Sequence, residues 1–386
     1  MSASSSSSYH SEDGLERAVI DLVRVGTRGH GAGVRQLASR LMRSVPLGVS
    51  DTEAFRGAVH DAVAPSASSA GLRFTPGSLP TEGESALPLV DVDLLPDGEG
   101  LVLEPAVMSQ LEEVVAERRR ADDLRRAGVG LTRSILLSGS PGVGKTMAAR
   151  WLASELRLPL VSLDLSTVVS SYLGTSGRNI KSVLDYAKSG PCVLLLDEFD
   201  AIAKRRDDEA DIEELKRIVN VVLVELDRWP DTSLLVAATN HPQLLDAAIE
   251  RRFDRALLLT VPGREQRRTL LAHLAGAGVP IDSSVLDLVT DFTEGMSGSD
   301  LTRLWALALR RAVLQDAPPS DVLVYELARL AGDSTPARDK LFQRLHDTMK
   351  LSNRQIAALT GVSHPTVAAG LERAGGAQRG TGRAKR

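Results

Sequence analysis

The sequence predicts an α/β protein: a five-stranded parallel sheet with helices between its strands and smaller helical units on either side. Three observations predict it. Five short apolar runs, at 134–137, 160–163, 193–196, 234–238 and 256–260, alternate with longer stretches at helical spacing. A glycine-rich loop, from Gly139 to Gly144, joins the first run to a helical stretch at 147–156. A segment rich in Ser, Gly and Pro, residues 65–88, separates this region from what precedes it and has the composition of a linker.

The elements follow in chain order. Residues 1–10 hold the serine run Ser4 to Ser8, which has nothing to bury and is expected to be disordered. Residues 11–64 predict a small helical domain. Leu15, Ala18, Val19 and Leu22 form one stripe, Val34, Leu37, Ala38 and Leu41 another, and Gly29, Gly31 and Gly33 interrupt the chain between them. The α/β region spans 89–262 and is closed by Pro262 and Gly263. Residues 263–332 read as helical, 333–375 as a further helical unit, and 376–386 as a basic, glycine-rich tail. No internal repeat is visible.

Composition sets the class. The 386 residues suit two or three domains. With 43% hydrophobic and 25% charged residues, a sizeable core can form. A net charge of -4 argues against a wholly basic nucleic-acid coat and leaves room for local basic patches. The single cysteine, Cys192, lies in an apolar run and reads as a core residue. No signal peptide or membrane-spanning apolar run is seen, so a cytoplasmic protein without a membrane partner is expected.

The loop Gly139-Ser-Pro141-Gly142-Val143-Gly144-Lys145-Thr146 fits the G-x-x-x-x-G-K-[ST] pattern in full. It follows a strand and opens a helix at Met147, so its amides and the helix N-terminus point at an anion. Lys145 is placed to reach the outer phosphates of a nucleotide and Thr146 to bind Mg²⁺. The run at 193–196 ends in Asp197 and Glu198. Asp197 suits the Mg²⁺ shell, and Glu198 suits polarising an attacking water.

On these residues, the region 90–330 resembles the AAA ATPases, a clade of the AAA+ superfamily: a P-loop α/β domain with a helical lid that hydrolyses Mg-ATP. The resemblance implies several further roles. Asn240, after the fourth run, is similar to a sensor that positions the water and contacts the γ-phosphate. The stretch from Leu245 to Asp254 resembles the second region of homology, in which Arg251 and Arg252 match arginine fingers reaching a neighbouring subunit's ATP. It lacks the Pro-Gly often found there and looks more like the compact Arg-Arg-Phe form of the meiotic clade. Fingers acting in trans imply a homo-oligomeric ring, usually a hexamer in this family. Met296-Ser-Gly298-Ser-Asp300 resembles the start of the last lid helix, with Gly298 against the adenine. Tyr172-Leu173-Gly174 resembles the pore loop of threading members, although Thr175, Ser176 and Gly177 replace the usual acids. The charged stretch from Lys204 corresponds to a second pore loop or a solvated loop, and Leu226 to Trp229 to an intersubunit signalling segment.

The stretch from Leu351 to Leu371 resembles a helix-turn-helix. Ser352 and Ser363 cap its helices, Gly361 makes the turn, and Ser363, His364 and Thr366 lie where such a motif meets DNA. Two function classes therefore stand. One is a ring that remodels or threads a protein client, and it is favoured. The engine resembles stand-alone bacterial AAA proteins paired with a subtilisin-like protease, so a separate protease is an implied partner. The other is a DNA-linked regulator recruited through the helix-turn-helix, although the Gly-Ala-Phe-Thr-Gly-Ala loop of enhancer-binding activators is missing.

Overall fold

The computed structural model describes Pro80 and residues 89–94, 96–171, 176–202, 209–276, 281–332 and 334–381. The expected disorder of 1–10, the helices of 11–64, nearly all of the linker, the loop residues Tyr172, Leu173 and Gly174, the stretch 203–208 and the last residues of the basic tail lie outside these.

The five apolar runs form β2 (Ser134–Ser138), β3 (Leu160–Asp164), β4 (Val193–Asp197), β5 (Leu234–Thr239) and β6 (Arg255–Leu258). They pair in parallel, in the order β3-β4-β5-β2-β6. A sixth strand, β1 (Asp91–Asp93), adds to the β3 edge in the antiparallel sense, with Val92 opposite Val161. The sheet is therefore mixed. Asp-Val-Asp is too short and too polar to announce a strand, and only the open edge of β3 makes it one.

Helices cover both faces. On one side Leu136, Leu163, Leu194, Leu196 and Leu235 meet α5 (Ser176–Lys188) and α6 (Glu209–Asp227). On the other Ile135, Leu137, Leu160, Leu195 and Val236 meet α1 (Pro105–Arg119) and α3 (Lys145–Leu156). Successive strand residues point to opposite faces and both faces are covered, which is why these strands are continuously apolar. Cys192 is fully buried, and burial pushes its thiol up to about 12. The short helices α2 (Ala121–Arg126), α4 (Leu165–Ser171) and α7 (Ala247–Glu250) lie in the connections.

Four helices follow: α8 (Arg264–Ala275), α9 (Ser283–Phe292), α10 (Gly298–Gln315) and α11 (Pro319–Ala331). Helix α10 is thus not the last of this lid; α11 packs after it. Three more complete the chain: α12 (Thr335–Met349), α13 (Asn353–Thr360) and α14 (His364–Thr381). The first residues of the expected tail continue α14. These three do not stand apart from the lid. Leu301, Leu304, Trp305 and Leu327 share one buried cluster with Leu341, Phe342, Ile356 and Val367. Among the described residues, no helix is long and apolar enough to cross a membrane.

Candidate nucleotide site

The glycine loop leaves β2 and enters α3 through backbone that only glycine accepts readily. Gly139 has φ +150°, and an added Cβ would lie 2.1 Å from the Leu259 carbonyl oxygen. Gly142 has φ +78°, with the hydroxyls of Ser299 and Ser297 at 2.7 and 2.8 Å from such an atom. Close approach on both sides is the reason for glycine at these two positions.

Lys145 is only 6% exposed. Its ammonium donates to the carbonyl oxygens of Gly139 (2.7 Å) and Ser140 (2.9 Å) and to Oδ1 of Asn240 (2.7 Å). An ammonium has three donors, so a phosphate must displace one of these acceptors. Burial pulls its pKa below the usual lysine value, while Asp197, Glu198 and Asp200 pull the other way. Thr146 donates its hydroxyl to Oδ2 of Asp197 at 3.0 Å, across from the strand end.

Glu198 follows β4 with φ +51°, a left-handed conformation that costs a side chain of this kind on the order of 1–3 kcal/mol. Its own amide donates to Oδ1 of Asp197 at 2.9 Å, which holds the turn. Asn240, just past β5, donates from Nδ2 to Oε1 of Glu198 at 3.0 Å. One amide side chain therefore bridges the lysine and the glutamate.

Asp200 was not foreseen. It is fully buried and accepts from the Thr239 hydroxyl (3.0 Å) and the Asn240 amide (3.2 Å). It ties the end of β5 to the turn after β4 and so orients Asn240. The only sequence signal was a third acid, two residues beyond Glu198.

The opposite wall is the lid. Ser299 donates its amide to the Gly142 carbonyl at 3.1 Å, and an added Cβ at Gly298 would meet that same oxygen at 3.2 Å. Ser297 and Asp300 form a reciprocal cap at the start of α10, and the Ser297 hydroxyl and amide hold the Asp300 carboxyl below its usual value. A cleft of about 950 Å³ lies between the walls. Pro141, Gly142, Val143, Gly144, Lys145, Thr146 and Met147 line it with Asp197, Glu198, Asn240 and Gly298; Gly139 sits behind the loop. His273, Ser299 and Arg303 also line it and were not anticipated. Nothing local marks them, because they reach the cleft only through the folding of the lid.

The structure does not bring Arg251 and Arg252 into this cleft. Both are exposed just past α7, and Arg252 pairs with Asp227 at the end of α6. Their segment is anchored immediately after Arg252. Phe253 packs edge-on to Phe199, centroids 5.8 Å apart, and Asp254 accepts from the amides of Arg133 (2.7 Å) and Ser134 (3.1 Å). Ser363, His364 and Thr366 lie away from the cleft, at the start of α14.

Residues 135–261 match the family described as "ATPase family associated with various cellular activities (AAA)". An uncharacterized AAA family ATPase of Sinorhizobium fredii is 44% identical over 162 residues, covering 42% of this chain and 49% of the relative. The ATP-dependent zinc metalloprotease FtsH 1 of Symbiobacterium thermophilum is 36% identical over 237 residues, 60% of this chain and 38% of the relative. A putative 26S proteasome regulatory subunit homologue of Methanothermobacter marburgensis is 36% identical over 193 residues, 48% and 51% respectively. The chain spans about half or less of the length of these relatives. The crystal structure of the FIGL-1 AAA domain is similar at a TM-score of 0.50 and 25% identity, covering 73% of this chain and 84% of that one.

Proposed function

We propose that the chain, whose residues 135–261 match the AAA ATPase family, hydrolyses Mg-ATP at this cleft and uses the energy to remodel or thread a protein client. The observation that carries hydrolysis is the bridge through Asn240, which holds a buried phosphate-seeking ammonium and a carboxylate base at the adjoining ends of β4 and β5.

The chemistry follows from the geometry. The loop amides and the start of α3 receive the phosphates, and Lys145 turns from its carbonyl partners to them. Thr146 and Asp197 present a hydroxyl and a carboxylate 3.0 Å apart on the cleft wall, a hard-oxygen pair that suits magnesium. Magnesium, when bound, offsets phosphate charge. Glu198 accepts the proton of the attacking water, and Asn240 fixes its carboxylate. Arg251 and Arg252, exposed on an anchored segment, suit donation to a neighbour's nucleotide in a ring. A protein client is supported by the relatives named as a metalloprotease and a proteasome regulatory subunit homologue. A separate protease is the proposed partner, and Tyr172, Leu173 and Gly174 are the residues proposed to grip the client in the cytoplasm.

Glu198→Gln is expected to bind ATP and hydrolyse it about 100-fold or more slowly, the scale of a lost general base. Near-normal turnover in that variant overturns the assignment. Turnover with an unfolded polypeptide tests the client: stimulation should be lost in Tyr172→Ala, and stimulation that survives removes the gripping role.

A further inference from the structure

We propose that the C-terminal helices form a head that binds double-stranded DNA through α14 and is carried on the lid. The proposal does not depend on ATP hydrolysis.

The geometry comes first. Helix α13 spans Asn353–Thr360, the turn is Gly361-Val362-Ser363, and α14 begins at His364. Gly361 adopts φ +69°, which turns the chain sharply. Ile356 and Val367 are fully buried and clamp the two helices to Leu341, Phe342 and Leu345 of α12. Three helices so arranged make the unit that lays its last helix in a major groove.

The inner side of α14 is fixed. A Cβ at Gly370 would lie 2.8 Å from the Phe342 ring, and Arg373 holds both carboxylate oxygens of Asp339 at 2.8 and 2.9 Å. The outer side starts with Ser363, His364 and Pro365, all exposed, and continues through the small residues Ala368 and Ala369. Hydroxyl and imidazole groups suit base edges, and small side chains allow close approach and contact with thymine methyls. Helix α13 begins with a reciprocal Ser352–Gln355 cap and exposes Arg354 beside it, where the first helix of such a unit meets the phosphate backbone.

Charge gives an independent argument. From Lys350 to Arg386 there are seven Lys and Arg residues and a single acid, Glu372, in a chain whose net charge is -4. In the sequence this is a basic excess of the kind that suits a polyanion. Among the described residues α12, α13 and α14 expose no large hydrophobic side chain, so these helices offer no apolar docking patch.

The test uses the full chain and a labelled pool of random-sequence duplexes, read by fluorescence anisotropy and by selection of enriched sequences. Binding should weaken steeply between about 50 and 200 mM salt. Arg354→Glu should weaken binding to every duplex roughly 10-fold or more and flatten the salt dependence. His364→Ala with Ala369→Glu should erase the enriched sequence while leaving salt-sensitive binding. ATP turnover and thermal melting should match wild type in each variant, which separates a lost surface from a lost fold. Absence of duplex binding by the wild type, equal retention of single strands, or binding untouched by these substitutions overturns the proposal. Capture of a protein in place of DNA, sensitive to His364→Ala, overturns it in favour of a protein-docking head.

Discussion

The two walls of the cleft are built on different principles. The sheet wall sets its groups at the ends of strands buried on both faces, where Asp197, Thr239 and the glycine loop have almost no freedom. Its groups are bonded to one another: Thr146 to Asp197, Lys145 to Asn240, and Asn240 to Glu198 through its side chain and to Asp200 through its backbone amide. The lid wall meets the loop mainly through Ser299 and Gly142, and its remaining stability comes from a core that extends into the C-terminal helices. One wall has its polar groups held by one another, and the other is a helical body that meets the loop through few polar bonds. Preorganised donors cost no rearrangement at the moment of reaction, whereas a lid held by few polar bonds can report whether the cleft is filled.

The sharpest way to break this comparison is through the shared helical core. Phe342→Ala, at a site 1% exposed, should cost about 3–5 kcal/mol and melt the lid with the C-terminal helices before the sheet. Hydrogen exchange resolves the order. A single transition common to both regions would show that the walls are one cooperative unit.

A pair of glycine substitutions sharpens it next. Gly139→Ala drives an atom into the Leu259 backbone and should cost about 3 kcal/mol in denaturant unfolding. Gly298→Ala needs only a few tenths of an ångström of relief from the lid and should cost about 1 kcal/mol or less. Equal costs would mean that the lid is as rigid as the sheet.

An effect of comparable size lies on the sheet side. Hydrogen bonds from Lys188 and Lys181 hold the Glu225 carboxylate below its usual pKa. Its folded pKa is depressed, so its stabilisation is present above the ordinary glutamate range and fades as pH falls through the folded value. Glu225→Gln should lower stability by about 1 kcal/mol near neutral pH, and the difference in melting temperature should close in acid. A gap that persists or widens in acid would mean the carboxylate is not the stabilising form.

Much of the sheet wall was legible from sequence because its signals are contiguous. The apolar runs, the loop from Gly139 to Thr146, and Asp197 with Glu198 each lie within a few residues. The lid wall was legible only at Gly298. His273 and Arg303 come from α8 and α10, two lid helices that pack together, and no local pattern marks either one. Asp200 was hidden for a similar reason: its partners, Thr239 and Asn240, are about 40 positions away and reach it only when β4 and β5 pair.

By itself the sequence determined where strands and helices form, because continuous apolar runs, helical spacing and capping residues act over short range. It also determined where the tight loop from Gly139 to Gly144 forms, because only glycine readily allows that backbone. Tertiary structure decided the rest. It made β1 a strand by offering an edge, joined Lys145 to Glu198 through Asn240, and merged the lid with the C-terminal helices into one core. These outcomes depend on pairing and burial between distant segments, whose free energy is realised only when the chain has closed on itself.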